Sequence, residues 1–260
     1  MKKIGILYIC TGEYSKFWTE FYRSAEKYML SNEELHYFIF TDDEVLLNIQ
    51  DSNIHPIFQT NLVWPYPTLY RFKFFIEQQE RLGKMDYLIF CNANLLFLKN
   101  INLDDLLIEK PMFATIHPSE YKKTKRKFPY ERNKKSLAFV DQDGSELEYV
   151  CGGFNGGRSA YFLNMARDLS YNIEQDLNNG IIAIWHDESH FNRYFNLNNN
   201  IFSILPSTFA WPKNKSTALH VFISILDKHN HINLNHKGLA YVFKSYILSL
   251  LYKLRVRGSK

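Results

Sequence analysis

The densest group of chemically active side chains lies at residues 185–190, which read Trp-His-Asp-Glu-Ser-His. Glu188 could be a buried carboxylate that faces an anomeric carbon, either as a nucleophile or as the stabiliser of an oxocarbenium-like transition state. His186 and His190 have the four-residue spacing of zinc ligands on a helix, but Asp187 follows the first histidine and the sequence offers no convincing third ligand. The remaining interpretation is an ordinary helix start, where the helix dipole favours the acidic side chains.

Two asparagines, Asn92 and Asn94, directly follow the apolar run at residues 86–91. At this place many sugar-nucleotide enzymes carry an Asp-x-Asp pair that holds a divalent cation against a diphosphate. An amide oxygen can coordinate a cation, but it lacks the charge that gives hard-cation sites their affinity, so tight binding of Mg²⁺ or Mn²⁺ is not expected. The alternative is a turn in which the asparagine side chains cap backbone groups.

Residues 152–157 read Gly-Gly-Phe-Asn-Gly-Gly. This spacing matches neither the GxGxxG nor the GxxxxGK pattern of phosphate-binding loops. So many glycines still predict a close approach to the backbone, either by a tightly packed bend or by a ligand such as a sugar ring.

Strand and helix patterns alternate along the chain. Short apolar runs predict strands at residues 4–10, 36–41, 86–91 and 112–116, and apolar residues at helical spacing predict helices at 15–30, 68–81, 159–177 and 188–195. Such alternation predicts an α/β fold, with a mostly parallel sheet flanked by helices on both faces. Because ligands bind beyond the carboxyl ends of parallel strands, we expect Thr11, Asp42 and Asn92 at one rim of this sheet.

Length and composition allow one large α/β domain or two small ones, since 260 residues with 46% apolar content can fill a sizeable core, and we expect residues 1–238 to form a single domain. The net charge of +4 is too small a surplus for a nucleic-acid-binding surface. Three widely spaced cysteines argue against a disulfide framework or a structural zinc site and favour a cytoplasmic location. The apolar start lacks a small-residue cleavage site, so we interpret it as a strand rather than a signal peptide.

Residues 239–260 form a tail in which apolar side chains are interrupted by basic ones. The run is too broken to span a bilayer comfortably. As a basic amphipathic helix it could make peripheral contact with the inner, anionic face of a membrane, pack back on the domain or contact a second copy. Basic residues also crowd at 122–135, where an anionic partner would be attracted.

Taken in order, these segments resemble the histo-blood-group A and B glycosyltransferases, known as glycosyltransferase family six, and particularly its short bacterial members. The resemblance covers about residues 4–228. Its motifs lie at residues 8–14, 38–42, 64–71, 86–94, 117–118, 128–132, 152–157 and 185–190. It implies a GT-A fold, a UDP-galactose or UDP-N-acetylgalactosamine donor, and retaining α-1,3 transfer to a galactose, often fucosylated, of an oligosaccharide or glycolipid.

The resemblance also implies residue roles. At the uridine of the donor, the matching residues are Ile9, Cys10, Thr11 and Tyr14. Asn92 and Asn94 replace the metal-binding aspartates, and Cys151, Gly152 and Gly153 lie beside the donor sugar. Arg71, Asp187 and Lys228 also match donor contacts. His117, Trp185 and Glu188 match the acceptor contacts, and Glu188 also matches the catalytic carboxylate. Pro129 and Pro212 stand where the family has polar acceptor contacts, which leaves the acceptor open.

The donor and the metal requirement follow from these matches. Gly153 leaves room for an N-acetyl group at the sugar C2, so UDP-N-acetylgalactosamine is the first choice, although one methyl-sized change decides only about 1 to 3 kcal/mol and UDP-galactose is the alternative. The asparagines predict turnover without a divalent metal, with Lys228 and Arg71 offsetting the diphosphate charge. An inactive UDP-sugar-binding protein is the alternative from another class.

Overall fold

The computed structural model describes residues 1–107, 109–119, 128–141, 147–215 and 220–231. The strands of these residues are β1 (Lys3–Ile9), β2 (Glu34–Thr41), β3 (Ile54–Phe58), β4 (Tyr87–Cys91), β5 (Leu95–Phe97), β6 (Met112–Ile116), β7 (Val150–Arg158), β8 (Phe202–Leu205), β9 (Trp211–Pro212) and β10 (Ile223–Ile225). Within the described chain they form a seven-stranded sheet in the order β3-β2-β1-β4-β7-β6-β8 and a three-stranded sheet in the order β5-β10-β9.

Helices connect and cover these strands. The α-helices of the described residues are α1 (Trp18–Tyr28), α2 (Glu44–Leu47), α3 (Tyr66–Leu69), α4 (Arg71–Glu77), α5 (Gln79–Leu82), α6 (Leu103–Leu106), α7 (Ser159–Asn178), α8 (His186–Leu197) and α9 (Lys228–His231). Short 3-10 helices occur at Gly12–Phe17, Asn199–Ile201 and Ser207–Phe209.

Most strand pairs of the large sheet are parallel. β1 pairs in parallel with β2 and β4, β2 with β3, and β6 with β8. β7 is antiparallel to both of its neighbours, β4 and β6. The expected α/β fold with a mostly parallel sheet flanked by helices is therefore confirmed, while the tail at 239–260 and residues 120–127 of the basic region lie outside the described residues.

The glycine-rich segment at residues 152–157 lies inside β7, and the pairing of β7 with β6 shifts register between Cys151 and Asn155. Glycine has a low strand propensity, so local pattern gave no strand signal here. Close packing explains the glycine: a Cβ on Gly156 would lie 2.6 Å from the carbonyl oxygen of Leu88 on β4. The predicted helix at 68–81 is divided into α4 and α5, and the one at 15–30 begins as a 3-10 helix.

Both faces of the sheet are buried. Ile6 and Tyr8 of β1 pack on one face with Phe21 of α1, and Leu7 points to the other face, where it packs in a cluster with Phe75 of α4. This two-sided burial explains why the central strands are continuously apolar. No helix in the described ranges is long and apolar enough to cross a membrane.

The segment 128–141 is fastened to the domain by Asp176 near the end of α7. The Ser136 hydroxyl donates to Asp176 Oδ2 over 2.5 Å, and the Leu137 amide donates to Oδ1 over 2.8 Å. His190 Nε2 of α8 lies 3.5 Å from the same Oδ2. Burial lowers the pKa of His190 to about 4, so the imidazole is neutral at pH 7.

This buried imidazole predicts a pH-dependent stability. The unfolded chain binds a proton at His190 below about pH 6.5, whereas the folded protein does so only near pH 4. The free energy of unfolding should therefore fall by about 3 kcal/mol between these pH values, and the His190→Gln variant should lack this part of the loss. Urea unfolding at pH 7, 5.5 and 4.5 measures it; an equal loss in both proteins would show that Asp176 keeps the imidazole charged.

Candidate active site

The C-terminal ends of β1 and β2 form one wall of the candidate site. Thr41 Oγ1 donates to the Cys10 carbonyl over 3.0 Å, and the Gly12 amide donates to Asp42 Oδ1 over 2.6 Å. Gly12 has a φ of 56°, and a Cβ there would collide with the side chain of Asn61. The turn after β1 therefore requires glycine and is held against the end of β2.

The residues expected at the uridine gather at this wall. Cys10 and Thr11 are buried, whereas Ile9 and Tyr14 are half-buried. Burial raises the pKa of the Cys10 thiol to about 12, so it remains protonated and uncharged. Lys228 Nζ lies 5.2 Å from the centroid of the Tyr14 ring, which places a cation from the far end of the described chain beside β1.

Arg71, the first residue of α4, is a buried cation that joins three segments. Its Nη2 forms an ion pair with Asp187 Oδ2, and its Nη1 donates to the Gly152 carbonyl over 3.0 Å. The guanidinium carbon lies 4.2 Å from the centroid of the Phe90 ring. Burial lowers the pKa of Arg71 to about 10, and the nearby Glu188 opposes this shift, so the side chain stays charged at neutral pH. Each Nη group thus has one protein partner, and Arg71 holds Asp187 and the Gly152 carbonyl together.

Glu188 is held by two hydrogen-bond donors. The Tyr149 hydroxyl donates to Oε1 over 2.9 Å, and the Gly152 amide donates to Oε2 over 2.8 Å. The side chain is half-buried in the first turn of α8, where the helix dipole favours a carboxylate. The helix begins at His186, whose φ is 53°. The carboxylate is thereby fixed in place, with part of its surface still accessible.

Gly152 lies close against both side chains. A Cβ there would lie 3.0 Å from Arg71 Nη2, which would have to shift by a few tenths of an ångström, and 3.5 Å from Glu188 Oε2, which is an ordinary contact. A Cβ on Gly153 would lie 3.1 Å from Asn92 Nδ2. The space expected for an N-acetyl group beside Gly153 is therefore bordered by the Asn92 amide, so that side chain shares in deciding how much room a donor sugar finds.

The two asparagines after β4 have different surroundings. Asn94 is 2% exposed, and its Nδ2 donates to the Leu226 carbonyl over 2.8 Å, while the Leu226 amide donates back to the Asn94 carbonyl over 2.8 Å. This pairing fixes the chain two residues before Lys228. Asn92 is half-buried, and its amide donates to the Gly153 carbonyl over 2.9 Å. Asn94 thus acts as an anchor for the segment that carries Lys228.

The described residues do not assemble a metal centre. No three His, Cys, Asp or Glu side chains of this part of the chain lie close enough together to hold an ion. His186 packs edge-on against Trp64, with ring centroids 4.8 Å apart, whereas His190 is buried beside Asp176. The four-residue histidine spacing therefore does not produce a two-histidine ligand pair here.

Of the residues expected to contact the acceptor, His117 is linked to Glu188 through Tyr149, and Trp185 precedes Glu188 by three residues in the chain. His117 is half-buried, with its ring 5.7 Å from that of Tyr149, and Trp185 is 48% exposed immediately before α8. Both are thus neighbours of the carboxylate along the chain or through one contact. Cys151 is buried, and burial raises the pKa of its thiol to about 12, so it is a neutral wall of the site.

Tyr149 is the site residue that the sequence did not indicate. It precedes β7 and has 2% exposure. Its ring packs against Phe128 and Tyr130 while its hydroxyl reaches Glu188. Since this chain has 17 tyrosines, residue type alone gave no signal. The pairing of Arg71 with Asp187 was likewise unexpected, although both residues had been singled out.

The buried ion pair predicts strongly coupled stability losses. Asp187→Asn removes the ion-pair partner of a buried Arg71 and should lower the free energy of unfolding by about 3 kcal/mol. The Arg71→Met change in the same protein should cost less than it does alone, because the unpaired charge is removed. Urea unfolding of the two single variants and the double variant measures the coupling, and additive losses would contradict the ion pair.

The comparisons with known proteins identify the family of the chain. The family model for glycosyltransferase family 6 matches residues 2–232. The O-antigen biosynthesis glycosyltransferase WbnI of Escherichia coli is 31% identical over 210 residues, which is 81% of this chain and 88% of the relative. The human globoside alpha-1,3-N-acetylgalactosaminyltransferase 1 is 28% identical over 219 residues, which is 82% of this chain and 62% of that protein. The rat histo-blood group ABO system transferase 1 is 26% identical over 215 residues, covering 80% and 60%. The resemblance and the GT-A-like fold expected from it are thus confirmed, and the chain belongs to glycosyltransferase family 6.

Proposed function

We propose that this protein is a retaining α-1,3-N-acetylgalactosaminyltransferase that moves N-acetylgalactosamine from UDP-N-acetylgalactosamine to a β-galactoside glycan without a divalent metal. The observation that carries the proposal is the Glu188 carboxylate, fixed by Tyr149 and Gly152 next to the Arg71–Asp187 ion pair. A fixed carboxylate can stabilise the positive charge that develops at an anomeric carbon in the transition state.

The donor assignment rests on the residues around β7. Gly152 and Gly153 add no side chain of their own beside Glu188, and the Asn92 side chain lies against Gly153, so the room for a C2 substituent depends on Asn92 as well. The relatives include globoside alpha-1,3-N-acetylgalactosaminyltransferases, which supports the same donor and linkage for this chain. UDP-galactose is the alternative donor, because it differs only in the smaller group at C2.

Metal-free turnover follows from the donor atoms after β4. Asn92 and Asn94 carry neutral amides, so this pair lacks the negative charge that gives a hard-cation site its affinity. The departing diphosphate still needs positive charge. Lys228, beside Tyr14 at the end of β1, supplies it, while Arg71 holds Asp187 and the Gly152 carbonyl in place.

The acceptor is proposed from its chemistry. Trp185 exposes an aromatic surface next to the Glu188 turn, which suits the apolar face of a galactose ring. One relative takes part in O-antigen biosynthesis, which supports a bacterial oligosaccharide or glycolipid as acceptor. Pro129 and Pro212 are half-buried and offer no side-chain donor, so the acceptor contacts differ there from those that the family resemblance implies.

A transfer assay tests the function. UDP-N-acetylgalactosamine and UDP-galactose are offered separately to a fucosylated β-galactoside, each with excess EDTA and with Mn²⁺, and products are measured by mass spectrometry. We expect transfer in EDTA, faster with the N-acetyl donor. Recovery only with Mn²⁺ would show that the asparagines hold a metal, and UDP binding without transfer under every condition would favour the inactive binding protein.

Two variants test the carboxylate itself. Glu188→Gln keeps the size but removes the charge and should lower kcat about 100-fold or more. Tyr149→Phe keeps the ring packing, removes one hydrogen bond to Glu188 and should lower kcat about tenfold. The matched control is Tyr37→Phe, since the Tyr37 hydroxyl donates to the Glu26 carboxylate over 2.7 Å, away from the site. Steady-state kinetics that show near wild-type kcat in Glu188→Gln would refute its role.

A further inference from the structure

One edge of the β7 region is completed by a helix instead of a strand. From residue 154 onward that edge pairs with β4, and the last contact is the Asn92 amide to the Gly153 carbonyl. β4 ends there, so the preceding residues of β7 have no strand on this side. On the opposite edge, β6 pairs with Val150 and Cys151, and the His117 amide donates to the Tyr149 carbonyl.

Side chains of α8 bond the backbone along this vacant edge. Asn192 Oδ1 accepts from the Val150 amide over 2.9 Å, and its Nδ2 donates to the Val150 carbonyl over 2.8 Å. Asn196 makes the same pair with Glu148, over 3.2 Å and 3.3 Å. Glu188 accepts from the Gly152 amide. We call these three side chains the α8 ladder.

In the α8 ladder, the spacing of side chains along a helix matches the spacing of backbone groups along an extended chain. Its side chains are four residues apart on the helix, which corresponds to a rise of about 6 Å. Their backbone partners are two residues apart on an extended chain, a rise of about 6.8 Å. The near-equality lets one helix face substitute for a strand over three steps, running antiparallel to β7. The third step of the ladder is the Glu188 carboxylate.

Asn192 connects the Glu188 turn of α8 to β7. Besides its two bonds to Val150, its Nδ2 donates to the Glu188 carbonyl over 2.9 Å. The side chain has 0% exposure, so none of these bonds competes with solvent. An asparagine at this position therefore sets the register between the Glu188 turn and the Gly152 amide, without touching any bound sugar itself.

We propose that Asn192 is a positioning residue, which holds the Glu188 carboxylate at the anomeric carbon through the α8 ladder. This inference rests on the proposed function. A displacement of the carboxylate by about 1 Å is enough to lower kcat by tenfold to 100-fold. Substrate binding, which depends on the β1 end and Lys228, should change much less.

The test compares Asn192→Asp with a matched variant outside the α8 ladder. Asn192→Asp keeps the acceptor for Val150 but loses both donor bonds. The control is Asn198→Asp, since Asn198 Nδ2 donates to the Tyr194 carbonyl near the end of the same helix and to no other group of the described residues. Steady-state kcat and donor KM, UDP affinity, thermal midpoint and amide hydrogen exchange at Gly152 are measured for both variants and for Glu188→Gln combined with Asn192→Asp.

In Asn192→Asp we expect kcat to fall about tenfold or more, with donor KM and UDP affinity within about threefold, and faster exchange at Gly152. Added to Glu188→Gln, the change should have little further effect on kcat, because it acts through that carboxylate. An unchanged kcat, or losses that simply add, would overturn the proposal. Exchange at Gly152 needs no substrate: unchanged exchange refutes the ladder, whereas a wild-type protein without transfer counts against the proposed function.

Discussion

The buried guanidinium of Arg71 is the constraint on which the candidate site depends. A charge with 6% exposure is tolerated only when it is paired and hydrogen-bonded, and Arg71 obtains its partners from Asp187 of α8 and Gly152 of β7. The contacts of this one side chain bring together three segments that are far apart in sequence, and only its Nε has no hydrogen-bond partner among the described residues. Glu188 is the neighbour of Asp187, so its carboxylate is carried to β7 by the same requirement.

β7 provides the surface on which the parts meet. It is antiparallel in a mostly parallel sheet, and its carbonyl and amide groups are shared between β4, β6 and α8. Glycine at 152 lets the Arg71 and Glu188 side chains approach the main chain, and glycine at 153 does the same for Asn92. The glycines thus serve close packing by polar side chains, a different purpose from the phosphate loops in which glycine runs are usual.

The charges of the site are distributed unevenly. Arg71 and Asp187 compensate each other in the interior, whereas Lys228 lies near the ring of Tyr14 at the end of β1. Asn94 holds the strand before Lys228 by a reciprocal pair of hydrogen bonds with Leu226. Asn94 therefore has a structural role that an aspartate could not take: its side-chain amide donates a hydrogen bond to a carbonyl, whereas an ionised carboxylate has no proton to donate.

The α/β class, the central strands and the motif segments could be predicted from the sequence, because apolar runs and helical periodicity are local signals that reflect burial on two faces. Residue type and spacing also pointed to Glu188, Asp187, Arg71 and Asn92. How these residues combine is visible only in three dimensions: Arg71 pairs with Asp187, Tyr149 and Gly152 hold Glu188, and a glycine-rich segment is a strand. These outcomes depend on which distant groups satisfy a buried charge or a vacant strand edge, and such long-range partners leave no trace in local residue patterns.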